Sequence, residues 1–443
     1  MTFRCLDVGS TWTKGVVVSA GGAVLGVAQH RTTPPEVLDG VAAVTAALPA
    51  ATTTLACSSA GGGLRLAVVG QERLVSAEAG YRVALSAGAK VVHVSSGLLA
   101  PADVRTLRAA APDVVLLVGG TDGGDEKVLL HNASRLAASR LAVPIVLAGN
   151  ADARPAALSS LAGRRVVATD NVLPDVGELA PGPARAAIRE VFLRHVIGGK
   201  GLSRGPRFRR LVSTVTPDAV LSAVSRLAGV LAAAEEQPGA VLVVDVGGAT
   251  TDVYSAVSTV EAAEHAVALP PDRRTVEGDL GMRVSAPGVV AEAVAERLAV
   301  PDFLAAAAGR RHASTDLVPS TPDEVAADLE LARLAVVLAV RRHLRMVDGR
   351  LGPRGAGVLV LSGGVFRHAA DLAGVEAALR EQLGPVLRHA EIRVDRQGLL
   401  GPAGLLTQAG HPQTADAVLR ALHPAGVDGR GPAGRPVSEV SGS

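Results

Sequence analysis

The chain has 443 residues, 48% of them hydrophobic but only 2% aromatic, so it can bury a large core of Ala, Val and Leu yet lacks the aromatic platforms on which single-stranded nucleic acids stack. Basic and acidic residues nearly cancel, 44 against 42, which argues against a nucleic acid or any other polyanion held by net charge. Two cysteines, Cys5 and Cys57, are too few for a disulfide scaffold, a four-cysteine zinc site or an iron–sulfur cluster within one chain.

The opening segment, MTFRCLDVGS, carries no continuous apolar stretch of the kind a secretory leader needs, and a cytoplasmic setting is expected. Phe3–Val8, Gly15–Ser19 and Val24–Ala28, with a turn at Gly21-Gly22, predict an antiparallel meander. Gly40–Leu64 is uncharged, but Pro49, Thr52–Thr54 and Gly61–Gly63 break it into a helix, a turn and a strand, so no membrane span is expected. Helical patterns at Pro35–Leu48, Ala77–Ala87 and Ala102–Ala110 alternate with buried-type strands at Thr53–Ser58, Leu64–Val69, Val91–Val94, Val114–Val118, Ile145–Ala148 and Arg165–Ala168. Such alternation predicts layered α/β architecture. A second meander starts at Val241, a helix-rich stretch covers Pro287–Val347, and a buried strand is expected at Gly357–Leu361. The Gly-, Pro- and Ser-rich residues 424–443 read as a flexible tail.

An internal repeat organises the whole. Asp7-Val8-Gly9-Ser10-Thr11-Trp12-Thr13-Lys14 aligns with Asp245-Val246-Gly247-Gly248-Ala249-Thr250-Thr251-Asp252, and each segment leads into a second strand. A second match pairs Val114–Gly120 with Val358–Gly364, both a buried strand ending in Gly-Gly. The spacing from aspartate to Gly-Gly is 112 residues (7 to 119) in the first half and 118 (245 to 363) in the second. These matches predict a duplicated domain, with residues 1–237 as the first unit, carrying insertions, and 238–423 as the second.

Each strand–turn–strand unit has the chemistry of a phosphate grip. Gly9, Gly247 and Gly248 let the turn approach a ligand, and turn amides can cradle phosphate oxygens. Ser10, Thr11, Thr13, Thr250 and Thr251 add hydroxyl donors, and Lys14 adds a positive charge. Asp7 and Asp245, at strand ends, suit Mg²⁺ held through its water shell. Gly363-Gly364, between a strand and the helical pattern Asp371–Leu383, leaves bare backbone against which a base or ribose can pack.

DVGSTWTKG, DVGGATTDV and VLSGGV resemble the phosphate-1, phosphate-2 and adenosine motifs of the superfamily of actin, the Hsp70 chaperones and the sugar and acetate kinases. That resemblance implies two ribonuclease-H-like α/β domains with ATP or ADP and Mg²⁺ in the cleft between them. Leu116–Ala137, Asp170–Leu179, Ala187–Ser203 and Thr275–Arg283 in turn look like the accessory protein of methylaspartate (glutamate) mutase, the MutL or GlmL family. This narrower resemblance implies a slow ATPase acting as a reactivating chaperone on the subunits of an adenosylcobalamin-dependent mutase. No D-x-H-x-x-G segment occurs in the chain, so any cobalamin is expected on the partner enzyme.

Other candidates carry less. Asp122, in Gly119–Gly124, could position an attacking water, hold Mg²⁺, or simply close an acidic turn. Glu277, Asp279 and Arg283 could contact the nucleotide or form local ion pairs, and Asp252 could sit behind Mg²⁺. Gly201–Gly205 matches G-x-S-x-G but follows a helical pattern, which is wrong for a hydrolase elbow. A small-molecule kinase on the same fold is the alternative, with Asp122 as its one candidate base. A filament former and a dehydratase activator are further alternatives. The activator's shared cluster would need a pair of cysteines at the dimer face, whereas Cys5 lies within a strand beside the phosphate loop.

Overall fold

The structure, a computed structural model, describes residues 1–60, 64–73, 75–87, 89–176, 178–192, 203, 206–233, 239–257, 272–347, 351, 355–422 and 438–439. β1 (Thr2–Val8), β2 (Trp12–Ser19) and β3 (Val24–Arg31) form the expected meander, and β4 (Thr53–Ser58) lies parallel to β1. The helix between β3 and β4, Val37–Ala47, makes the crossover. The chain then leaves this sheet to build a second one. It consists of β5 (Leu64–Gly70), β6 (Ala89–Ser96), β7 (Val114–Leu117), β8 (Ile145–Leu147) and β9 (Val166–Ala168), all parallel and ordered β6-β5-β7-β8-β9. The return strand β10 (Thr214–Val215) pairs parallel with β4.

The second half repeats the plan of the first. β11 (Ala240–Val246), β12 (Thr251–Ala256) and β13 (Asp272–Glu277) form a meander, with β14 (Ala356–Ser362) and β15 (Glu391–Val394) parallel on the other side of β11. Read from the meander edge, the two sheets run β3-β2-β1-β4-β10 and β13-β12-β11-β14-β15, with the same strand senses. This is the duplicated ribonuclease-H-like plan of the actin and Hsp70 fold.

One expectation is corrected here. Val114–Leu117 is not the counterpart of β14, because it belongs to the inserted parallel sheet. The strand beside β1 is β4, where Cys57 stands opposite Asp7 as Ser362 stands opposite Asp245, so the true counterpart of Ser362-Gly363-Gly364 is Cys57-Ser58-Ser59. Residues 61–63, 193–202 and most of the G-x-S-x-G segment lie outside the described residues. Of the tail, Ser438–Glu439 are described, paired parallel with β3 at Ala28 and Gln29 as a last strand, β16.

Strand alternation decides what each sheet faces. Leu6 and Val8 point to one core, shared with the inserted domain, while Phe3 and Cys5 point to another. Leu242, Val244 and Val246 likewise face the helices of the second half, and Val241 and Val243 turn to the core that holds Phe3 and Cys5. Two helices, Thr216–Ala233 and Leu400–Gln408, fill that shared inner core. They cross at Gly404, where an added Cβ would stand 1.7 Å from the Ala219 carbonyl oxygen. Among the described residues, no helix is long and apolar enough to cross a membrane.

Candidate functional site

The pleat that builds the inner core also aims the two aspartates. Asp7 continues the row Phe3–Cys5, and Asp245 continues Val241–Val243, so both carboxylates emerge at the top of the faces that oppose each other. In the first hairpin Asp7 pairs with Lys14 and Val8 with Thr13. In the second, Asp245 pairs with Asp252 and Val246 with Thr251. The turns match as well. The Gly9 N–H donates to the Trp12 carbonyl at 3.0 Å, and the Gly247 N–H donates to that of Thr250 at 2.9 Å. A Cβ on Gly9 would come within 2.7 Å of the same Trp12 oxygen, so the turn needs glycine.

Asp7, Lys14 and Asp245 line one cleft, together with Thr216, Ser362, Arg367 and Asp395. The hairpin tips meet across it, since a Cβ on Gly248 would lie 3.8 Å from Thr11 Oγ1. Asp7 Oδ1 accepts the Thr216 hydroxyl at 2.5 Å and the Cys57 thiol at 3.6 Å. Burial pushes the Cys57 thiol well above its usual range, and Cys5, also on the cleft wall, up to about 12. Both therefore stay protonated. Asp395 caps the helix Leu400–Gln408, accepting the Leu399 and Leu400 N–H groups at 2.6 and 3.2 Å. Burial pushes its carboxyl above the usual range, against the pull of the Arg367 guanidinium.

The second hairpin is braced from behind. The N–H groups of Met282, Arg283 and Val284 donate to the carbonyls of Gly247 and Gly248 at 2.7–2.9 Å, and the Ser285 hydroxyl donates to Ala249 at 2.8 Å. These bracing residues overlap the Thr275–Arg283 segment at Met282 and Arg283. Its charged side chains turn elsewhere. Glu277 and Asp279 pair with Arg342, and Arg283 pairs with Asp328. Asp252 pairs with the buried Arg274, which offsets the upward push of burial on its carboxyl.

The sequence-predicted residues separate into three groups. Asp7, Lys14 and Asp245 come together in the cleft, with Gly9, Ser10, Thr11, Gly247, Gly248 and Thr250 on its two tips. Thr13 and Thr251 depart from expectation. Both are fully buried, their hydroxyls bonded to Thr32 Oγ1 and the Leu280 carbonyl on the far sides of their hairpins. Pleat alternation explains this, because neighbours of Lys14 and Asp252 must point away from the cleft. Asp122 does not line the cleft either. It sits in the inserted domain, where Oδ1 accepts from the Ala151 N–H at 2.8 Å and Asn171 Nδ2 at 2.9 Å.

At the third motif, Gly363 has φ +118° and a Cβ there would meet the Val246 carbonyl at 2.3 Å, whereas a Cβ on Gly364 would meet nothing within 4 Å. The first glycine packs strand to strand and the second leaves space open. Three cleft residues were missed by sequence reasoning: Thr216, Arg367 and Asp395. Arg367 stands three residues after the Gly-Gly pair and Thr216 precedes a proline at a helix start, and both patterns were visible signals.

Residues 3–422 match the family described as MutL protein. A curated relative, Protein MutL of Clostridium tetanomorphum, is 33% identical over 386 residues, covering 80% of this chain and 82% of its own. The chain belongs to the MutL protein family. This MutL-family chain is also similar to solved structures at low identity. One is a nucleotide-free acetone carboxylase, with 13% identity, TM-score 0.39, 91% of this chain and 69% of that one. Another is a ROK family glucokinase from Streptomyces griseus, with 13% identity, TM-score 0.36, 92% of this chain and 99% of that one.

Proposed function

We propose that the cleft binds ATP with Mg²⁺ and hydrolyses it slowly, and that the resulting motion of the two lobes acts on an adenosylcobalamin-dependent carbon-skeleton mutase as a reactivating chaperone. The observation that carries the nucleotide reading is the convergence of Asp7 and Asp245, from two hairpins of identical register, on one cavity. The residues fit the group. Three carboxylates (Asp7, Asp245, Asp395) and two cations (Lys14, Arg367) line the space, so a bare polyphosphate would meet excess negative charge unless a divalent cation came with it. Among the described residues, no three His, Cys, Asp or Glu side chains converge to cage a metal. Carboxylates on two facing walls suit Mg²⁺, which keeps its waters and is shared between carboxylates and phosphates.

When bound, Mg²⁺ neutralises the charge that builds on the phosphate oxygens. The chain supplies the rest. Asp7 and Asp245 would hold the ion's water shell, and Lys14 would draw the phosphate tail toward the first hairpin. The tips around Gly9–Thr11 and Gly247–Thr250 offer backbone N–H groups, and Gly364 leaves room for the nucleoside. Closing the tips would couple the phosphate state to the angle between the lobes. Membership of the MutL family and the four long segments resembling the glutamate mutase accessory protein support the mutase as partner, with cobalamin carried by that enzyme. The kinase alternative relied on Asp122 as base, and Asp122 lies outside the cleft.

The deciding experiment measures ATP turnover with and without a cobalamin-inactivated glutamate mutase. Slow basal turnover, stimulated by the inactivated mutase and accompanied by recovery of mutase activity, is expected. Turnover that ignores the mutase, or phosphate transferred to a soluble acceptor, overturns the reading.

A further inference from the structure

We propose that Thr216 is a positioning residue for Asp7, fixing which carboxylate oxygen faces the cleft and tying that oxygen to the junction between the lobes. The inference deepens the ATPase reading and rests on it. Thr216 opens the helix Thr216–Ala233 and lines the cleft beside Asp7. Its hydroxyl donates to Asp7 Oδ1 at 2.5 Å, and the Cys57 thiol donates to the same oxygen. Both donors sit on one oxygen, so the carboxylate cannot rotate freely, and Oδ2 is the oxygen presented to a ligand.

The hydroxyl is itself held by the fold. Asp218, in the same helical turn, is buried and accepts the Thr214 hydroxyl at 3.1 Å. It also pairs with Arg189, from the helix Pro181–Val191 that packs under the inserted domain, and accepts Gln408 Nε2 at 3.2 Å from the helix Leu400–Gln408. One helical turn therefore touches the first hairpin, the inserted domain and the second lobe. A shift of either neighbour moves Thr216, and with it the aim of Asp7. The geometry makes the carboxylate a reporter of lobe position as well as a holder of the metal's water shell.

The test uses the full chain and Thr216→Val, which keeps the branched shape and removes the donor, with Thr216→Ala as a second hydroxyl-free variant should the valine misfold. Trp12, the sole tryptophan, sits at the first hairpin and reports nucleotide binding by its fluorescence. ATP affinity is measured with and without Mg²⁺, alongside turnover. The loss of a hydrogen bond to a charged group predicts an about tenfold smaller Mg²⁺-dependent gain in affinity. The gain is read as the ratio of affinities with and without Mg²⁺, and Thr216→Ser should restore it. A hydroxyl-free variant with the wild-type Mg²⁺ gain, or a serine variant no better than valine, overturns the assignment of Thr216 while leaving the ATPase reading intact. Wild-type protein that binds no ATP, with or without Mg²⁺, overturns both.

Discussion

Gly248 and Thr11 face each other across the cleft, with 3.8 Å between the Thr11 hydroxyl and the place a Cβ at 248 would occupy. That gap is ordinary contact for a methyl group. Gly248→Ala is expected to fold and bind MgATP as wild type. Gly248→Leu should fold but bind at least about tenfold more weakly, because its side chain fills the space between the tips. Calorimetric titration with MgATP decides it, and equal affinity for both variants would show that the nucleotide does not pass between these tips.

Asp245 and Asp122 make a paired test. Asp245→Asn keeps the shape of a cleft carboxylate and removes its charge, so turnover at saturating MgATP should fall on the order of 100-fold. Asp122→Asn should leave turnover unchanged, since Asn can still accept from Ala151 and Asn171 through its carbonyl. Single-turnover assays of both variants measure this, and a loss of activity at Asp122 would reopen a catalytic role for the inserted domain.

At the Gly404–Ala219 crossing the two helix backbones approach too closely for a Cβ on Gly404. Gly404→Ala must force two helices apart, because the obstacle is a carbonyl oxygen rather than a flexible side chain. A loss of about 2–3 kcal/mol is expected. Urea unfolding of the variant checks it, with Gly364→Ala, where no atom lies within 4 Å, as the near-neutral control.

His343 gives the second lobe one source of pH dependence. Its ring nitrogens bond Thr275 Oγ1 at 3.0 Å and Ser255 Oγ at 2.8 Å, joining the long helix Pro322–Met346 to β12 and β13. Burial, helped by the nearby Arg273, pushes it from the usual 6.5 down to about 3. The unfolded chain therefore binds a proton that the folded chain refuses. Stability from this group is complete above pH 6.5 and is lost as pH falls from there toward 3, at up to about 1.4 kcal/mol per pH unit. His343→Gln should be less stable at pH 7.5 yet lose stability less steeply below pH 6.5. Parallel slopes for the two proteins would exclude the histidine as the cause.

Local chemistry was readable in the residues. Asp7–Lys14 and Asp245–Asp252 announce their turns because glycine, hydroxyl and carboxylate act within a few residues of chain, and the hairpins form with the expected partners in register. Pairing between distant parallel strands was not readable in the same way. Val114–Leu117 and Val358–Leu361 look alike because both are buried on two faces, and burial does not say in which sheet. The near-equal spacings linked positions that are not equivalent, since Val114–Leu117 is the third strand of the inserted sheet and Ala356–Ser362 the fourth of its own. The side-chain directions of Thr13 and Thr251 were available from pleat alternation once Lys14 and Asp252 were assigned to the cleft side.

By itself the amino-acid order settled the α/β class, the two mirrored turns and their acidic ends, since these depend on backbone freedom and hydropathy over short stretches. Only the tertiary structure decided that β4 rather than β7 completes the first sheet, that Asp122 stands outside the cleft, and that Thr216, Arg367 and Asp395 stand inside it. Those facts depend on which distant faces exclude water together, and that is a property of the packed chain, beyond the reach of any short segment.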